Sequence, residues 1–272
     1  MNFKGDDISK ALKKGVFTHI VGRRILYFKE LDSTMNKAQE EAKKGTNDGT
    51  VILAGRQTAG RGRFKRPWIS SPGNILMSIV FYPSLKALPY ISVIAALAVL
   101  RTIRKETNLK PVIKWPNDVL VQQKKISGLL VESVLEGDLV KHTVVGIGIN
   151  VSLNPKHTPE IATKATSLEI ETMAKVDVGQ FIQVLMHEFD NLYMDLKKDN
   201  YPINEWRDHL ETLGKNVEVV LGNDVIEGYA EDVDSMGHLL IRRPDGKVVT
   251  LTAGEVTLNA IANRNTTQED IC

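Results

Sequence analysis

Arg61, Arg63, Lys65 and Arg66 stand within the six residues from 61 to 66, with Gly60 before them, Gly62 among them and Pro67-Trp68 closing the run. Forked guanidinium donors match carboxylate and phosphate oxygens, and glycine lets a backbone come close to a ligand. Gln57 lies just before this run. Three further polar clusters interrupt apolar stretches: Ser33-Thr34, Lys114 to Asp118 with Lys125 beyond it, and Gly146 to Asn150. Together they offer hydroxyls, amides, guanidiniums and ammoniums. That set binds an anion and stabilises charge developing on a phosphate; it is not the set for proton abstraction. No serine sits in a nucleophile elbow, no histidine pair has metal-ligand spacing, and the one cysteine, Cys272, is the last residue. The residues alone therefore point to a phosphate or carboxylate ligand. The plainer alternatives are a solvated basic loop, a hairpin-surface Lys125 and a core-anchoring Trp68.

Composition sets the outer bounds. The 272 residues suffice for one large domain or two unequal ones, and 42% hydrophobic with 25% charged residues is ordinary for a globular protein. The net charge of +2, from 35 Lys+Arg against 33 Asp+Glu, is too balanced for a general nucleic-acid binder, so the basic run is local. The longest apolar run, Ile91 to Leu100, is shorter than the roughly 20 residues a membrane span needs. The opening MNFKGDDISKALKKG lacks the apolar core of a signal peptide. Cytoplasmic location, with no membrane and no DNA partner, is the expectation.

Several elements must position the clusters. Ile25 to Phe28 reads as a strand, and Ser33 caps a helix running to about Lys44 and closed by Gly45. Val51 to Ala54 is a buried-type strand that delivers the chain into the basic loop. Ile75 to Phe81 is another, and a buried helix follows from Pro89 to about Glu106. Val119 to Val121, the turn Gln122 to Lys124, and Ile126 to Val134 form a hairpin with Lys125 at the start of its second strand. His142 to Val151 is a strand interrupted by Gly146 and Gly148, as expected where something approaches the backbone closely. Pro-Asn-Asp at 116–118 is turn chemistry, and Asp118 reads as a turn cap outside the site. Asp177 caps a long amphipathic helix from Val178 to Leu196, and a second helix runs from about Ile203 to Leu213, ending at Gly214. Short strands from Lys215 (217–221, 225–227, 229–231, 239–241, 248–251) suggest a small barrel. The expected domains are 1–213 and 214–260, with a polar tail at 261–272.

The motifs resemble, in order and spacing, those of the biotin–protein ligase family: Asp32-Ser33-Thr34, GRQTAGRGRFKRPW (55–68), KWPND (114–118), Lys125-Ile126-Ser127-Gly128 and GIGIN (146–150). The resemblance spans about Ile25 to Leu258. It implies an α+β fold in which a mixed-sheet catalytic domain precedes an SH3-like barrel. It also implies an ATP-dependent ligase that makes biotinyl-5′-AMP, with Mg²⁺ accompanying ATP and no permanent metal, and passes biotin to a lysine of a biotin carboxyl carrier protein. Ser33, Thr34 and Gln57 would meet the ureido end of biotin, and Gly128 would line the ring pocket. Arg61, Gly62 and Arg63 would face its carboxylate and the α-phosphate, and Lys125 would reach both; Lys125 and Arg63 are the catalytic pair. Arg66, Trp68, Lys114, Asn117 and Asn150 would serve the adenylate, with Trp68 against adenine. The loop Gly60 to Arg66 would lack fixed structure when empty and close over the ligand. Arginines paired to protein carboxylates would count against that.

Met35 stands where asparagine is common in the Ser-Thr motif, which puts an amide contact there in doubt. Only about 24 residues precede the first strand, too few for the helix-turn-helix domain of some members, so no repressor activity is expected. Family members often form homodimers through sheet edges, but no such edge is identifiable. A lipoate–protein ligase and a non-catalytic nucleic-acid-binding module are the competing readings. An octanoyl transferase would need an internal cysteine.

Overall fold

The computed structural model describes residues 17–258; the helical pattern around Ile8 to Leu12 and the tail from 261 lie outside them. The chain divides between Leu210 and Glu211 into two compact units, a few residues before the boundary expected at Gly214.

The first unit is built on a seven-stranded mixed sheet of order β1-β2-β3-β7-β6-β5-β4. Its strands are β1 (Ile25–Phe28), β2 (Thr50–Ala54), β3 (Ile75–Phe81), β4 (Val112–Lys114), β5 (Asp118–Val121), β6 (Lys124–Glu136) and β7 (Leu139–Ile149). Only β1 and β2 run parallel, joined through helix α1 (Thr34–Lys43), for which Ser33 supplies the cap by accepting from the Met35 N–H. Helix α2 (Tyr90–Glu106) is apolar almost all round, and Ile91, Ile94, Leu97 and Leu100 are fully buried. Each such side chain contributes roughly 1.5–3 kcal/mol.

Strand alternation separates two faces. On one, Phe81 stacks on Phe189 and packs at a tilt against Tyr193 of α4 (Val178–Leu196). On the other, Ile52, Val80 and Val144 pack with Met35, Ala38 and Ala42 of α1. The register lays out that second face in rows. Ala54, Leu76, Gly148, Gly128 and Asp118 form one; Ile52, Ser78, Gly146 and Leu130 the next; Thr50, Val80, Val144 and Glu132 the third.

Two helical turns at 155–157 and 159–161 and the short α3 (Leu168–Thr172) connect β7 to α4. Helix α5 (Ile203–Asp208) is shorter than the expected 203–213. The His209 carbonyl accepts from the Ile113 N–H and Leu210 bridges to Ile113, so sheet pairing draws the chain out of the helix. Gly214 does have positive φ, but its N–H bonds to the Ala230 carbonyl.

The second unit is a five-stranded antiparallel sheet, order β11-β10-β9-β8-β12, of the SH3-like type. Its strands are β8 (Asn216–Leu221), β9 (Asp224–Val233), β10 (Leu239–Arg242), β11 (Val248–Leu251) and β12 (Glu255–Leu258). The two short strands read on either side of Gly228 are one continuous strand. A Cβ at Gly228 would lie 2.5 Å from the Arg242 carbonyl oxygen, so the glycine marks close strand approach and not a break. Strand β12 had no counterpart in the sequence reading.

Asp190 on α4 anchors the chain entering β1. Its carboxylate, 1% exposed, accepts from the backbone N–H groups of His19, Ile20 and Val21 at 2.7–2.9 Å. Burial alone would raise its pKa, but these donors more than reverse that and hold it below the ordinary value. A depressed folded pKa means stabilisation present above the ordinary carboxyl value of about 3.9 and lost as pH falls below it. Asp190→Asn should cost about 2 kcal/mol in urea unfolding at pH 7, narrowing below about pH 4. A pH-independent difference would contradict this.

Candidate functional site

Three glycines strip the β6–β7 floor of side chains on the α1 face. Gly128 and Gly148 are direct cross-strand partners. The Trp68 indole lies in the slot they leave: a Cβ at Gly148 would meet the ring at 2.4 Å, and one at Gly128 would meet it at 2.9 Å. Met35 fills the neighbouring position, with its sulfur 2.7 Å from where a Gly146 Cβ would be. The close approach expected at Gly146 and Gly148 is thus made by these two side chains. Position 35 belongs to the apolar layer between helix and sheet, where an asparagine amide would be buried.

At the α1 end a polar relay is built from three elements. The Ser78 hydroxyl, fully buried on β3, donates to Thr34 Oγ1 at 2.8 Å. Thr34 in turn donates to Gln57 Oε1 through its hydroxyl at 3.0 Å and its backbone N–H at 2.7 Å. Two donors on Oε1 fix the Gln57 flip, so the amide NH₂ is the edge turned away, toward Gly60. Ser78 was missed by the sequence reading; a lone serine in an apolar strand gives no signal until the register sets it beside Thr34.

At the other end, Lys125 Nζ lies 2.6 Å from Asp118 Oδ1 and 5.6 Å from the centre of the Trp68 ring. Asp118, set aside as a turn cap, is therefore the partner of the lysine expected to be catalytic. The register explains this: Asp118 pairs with Gly128, and a shift between Val119 and Leu120 brings Lys125 opposite Leu120. Lys114 lies opposite Asp118 across β4–β5. Asn117 ties β6 to the loop, since its amide donates to the Leu129 carbonyl and its Oδ1 accepts from Arg63 Nη1 at 3.0 Å. Asn150 is 4% exposed, and its backbone bonds to Ile126 and Leu168.

The basic loop has a defined course. Arg61 bridges to Pro67, the Gly62 N–H donates to the Arg66 carbonyl, and the Trp68 N–H donates to the Gly60 carbonyl. A helical turn at Arg63–Lys65 makes the tip, where Phe64 and Lys65 both take positive φ. The guanidinium of Arg63 lies 5.0 Å from the centre of the exposed Phe64 ring. Arg61 does not face an open anion site: it forms a two-pronged ion pair with Glu132 of β6 and also reaches Asn36 of α1. That is the pairing expected to count against a loop without fixed structure, and it takes Arg61 out of the ligand-facing set in this arrangement.

The Trp68 indole Nε1–H, buried without an acceptor among the described residues, sits at this floor. The arrangement offers amide and hydroxyl donors at one end, an ammonium and a guanidinium at the other, and a glycine floor covered by Trp68 and Met35 between them. It suits an elongated ligand, polar at one end and anionic at the other.

Residues 27–150 match the model of the biotin/lipoate A/B protein ligase family, and residues 212–258 match that of the biotin protein ligase C-terminal domain. A biotin–[acetyl-CoA-carboxylase] ligase of Paracoccus denitrificans is 34% identical over 233 residues, covering 83% of this chain and 96% of that one. A bifunctional ligase/repressor of Bacillus subtilis is 34% identical over 241 residues, covering 86% of this chain and 74% of its own. The solved biotin protein ligase of Aquifex aeolicus in complex with biotin and ATP superimposes with a TM-score of 0.73 at 29% identity, over 87% of this chain and 99% of that one.

Gly148→Ala should push the indole out of its slot. Tryptophan emission should shift to the red, stability should fall by about 1–3 kcal/mol, and the spectral shift should vanish in a Trp68→Phe background. Emission unchanged from the parent would contradict the packing.

Proposed function

The chain belongs to the biotin–protein ligase family, and from that premise we propose how its residues perform the reaction. The enzyme is an ATP-dependent biotin–protein ligase that forms an amide bond. A carboxylate oxygen of biotin attacks the α-phosphorus of ATP, pyrophosphate leaves, and biotinyl-5′-AMP results. The amine of an acceptor lysine then attacks the acyl carbon and AMP leaves.

The observation that carries the residue assignment is the single sheet face with its relay at one end and its cations at the other. Biotin has a ureido group at one end and a carboxylate at the other. Gln57, its acceptor oxygen already occupied by Thr34, presents NH₂ donors to the ureido oxygen. Lys125 and Arg63 meet the carboxylate and the α-phosphate, lowering the repulsion between two anions and stabilising the transition-state charge. Lys125 is held by Asp118 until a ligand carboxylate replaces it. Trp68 supplies an aromatic surface for adenine, and Arg66, Lys114, Asn117 and Asn150 line the nucleotide side. Mg²⁺ enters with the triphosphate. A cation that arrives with a triphosphate would be held mainly by phosphate oxygens and water.

A closed loop keeps water from the mixed anhydride, whose hydrolysis would waste the activated acid. A biotin carboxyl carrier domain as acceptor and a cytoplasmic site of action belong to the same reading. No helix of the described residues is long and apolar enough to cross a membrane.

The test is transfer of biotin from ATP and Mg²⁺ mixtures to one lysine of a carrier domain, followed by mass. Lys125→Ala and Arg63→Ala should each slow adenylate formation by about 10²–10³ without lowering the melting temperature. Variants that form and transfer the adenylate like the parent would refute the assignment.

A further inference from the structure

The loop from Gly60 to Trp68 stands on the sheet like a small hairpin with two feet. One foot is Trp68 in the Gly128–Gly148 slot. The other is Arg61, whose terminal nitrogens meet both carboxylate oxygens of Glu132, Nη2 to Oε2 at 3.0 Å. Asn36 adds a third hold: its amide donates to Asp32 Oδ2 at 2.6 Å, and its Oδ1 accepts from Arg61 at 3.4 Å. Because the Arg61–Pro67 bridge ties the two arms together, fixing one foot positions the other.

Glu132 is an odd residue for its place. It faces the row of Thr50, Val80 and Val144, all fully buried, and a leucine there would serve the core better than a carboxylate. The pair is half-buried, with side chains 30% and 34% exposed, so a carboxylate here can hold the loop and still release it. We propose that Glu132 is a positioning residue that holds the loop closed through Arg61 and thereby governs how long the activated acyl adenylate is retained. The retention consequence rests on the ligase reading above; the closure itself does not.

The experiment uses the full chain. Trypsin can cut the loop after Arg61, Arg63 and Lys65 but not before Pro67, so limited proteolysis reads loop closure without any ligand. Glu132→Gln and Glu132→Leu, the second suited to the apolar row, should each be cut about tenfold faster in the loop. Biotinyl-5′-AMP made on the enzyme should escape about tenfold faster into a trap. The exchanged pair, Arg61→Glu with Glu132→Arg, lacks the first of the tryptic sites, so it is read at Arg63 and Lys65; cleavage there and adenylate escape should both return most of the way to the parent's rates. Loop cleavage at the parent rate in both single variants overturns the proposal, as does an exchanged pair no better than the singles. Faster cleavage with unchanged adenylate escape also overturns it, because the ligand alone would then close the loop. If the parent makes no adenylate, the ligase reading fails while cleavage still decides the role of Glu132.

Discussion

The absence of side chains at three registered positions, Gly128, Gly146 and Gly148, is the constraint from which the site follows. Methyl groups there would collide with Trp68 and Met35 at distances no real Cβ shows, so neither α1 nor the basic loop could lie as it does. Helix α1 seats Met35 on Gly146, which puts Ser33 and Thr34 at its start over the same face. The loop seats Trp68 between Gly128 and Gly148, which puts Arg63 next to Asn117. The depression therefore sets the position of both walls of the ligand site, and its cost in β-propensity is carried by neighbours that are themselves fully buried.

Electrostatics supplies the chemistry and also the restraint. An active site that joins two anions must gather cations, and without ligand those cations repel one another. Here Lys125 rests on Asp118 and Arg61 on Glu132. Both pairs are partly exposed, so each is modest, about 1 kcal/mol and somewhat more for the two-pronged Arg61–Glu132 pair. A ligand carboxylate or phosphate can replace such a partner at small cost, whereas a deeply buried pair could not be opened so readily.

Much of this was legible in the sequence. The apolar strands of the first unit, both long helices, the caps at Ser33 and Asp177, and the clusters at 57–68 and 114–128 all carry local signals of periodicity, capping or charge. The glycines of GIGIN announced a close approach. What was not legible depends on register. Asp118 looked like a turn cap because its link to Lys125 runs through a cross-strand pair and a bulge. Ser78 gave no signal in its apolar strand, because only the register sets it beside Thr34. Glu132 gave no signal inside its strand, and Arg61 was read as one more ligand-facing arginine, because ion-pair choice within a cationic run is a tertiary matter. Helix α5 was overread for the same reason, its last turn being drawn into pairing with Ile113.

The roles of the relay and the cations turn on which acid this face activates. Exchange of labelled pyrophosphate into ATP, measured with biotin and with lipoate in turn, reads the first step before any acceptor is involved. The relay of Ser78, Thr34 and Gln57 predicts rapid exchange with biotin and little above background with lipoate, which lacks a ureido group. Exchange with lipoate equal to or faster than with biotin would contradict the assignment of that relay and with it the substrate.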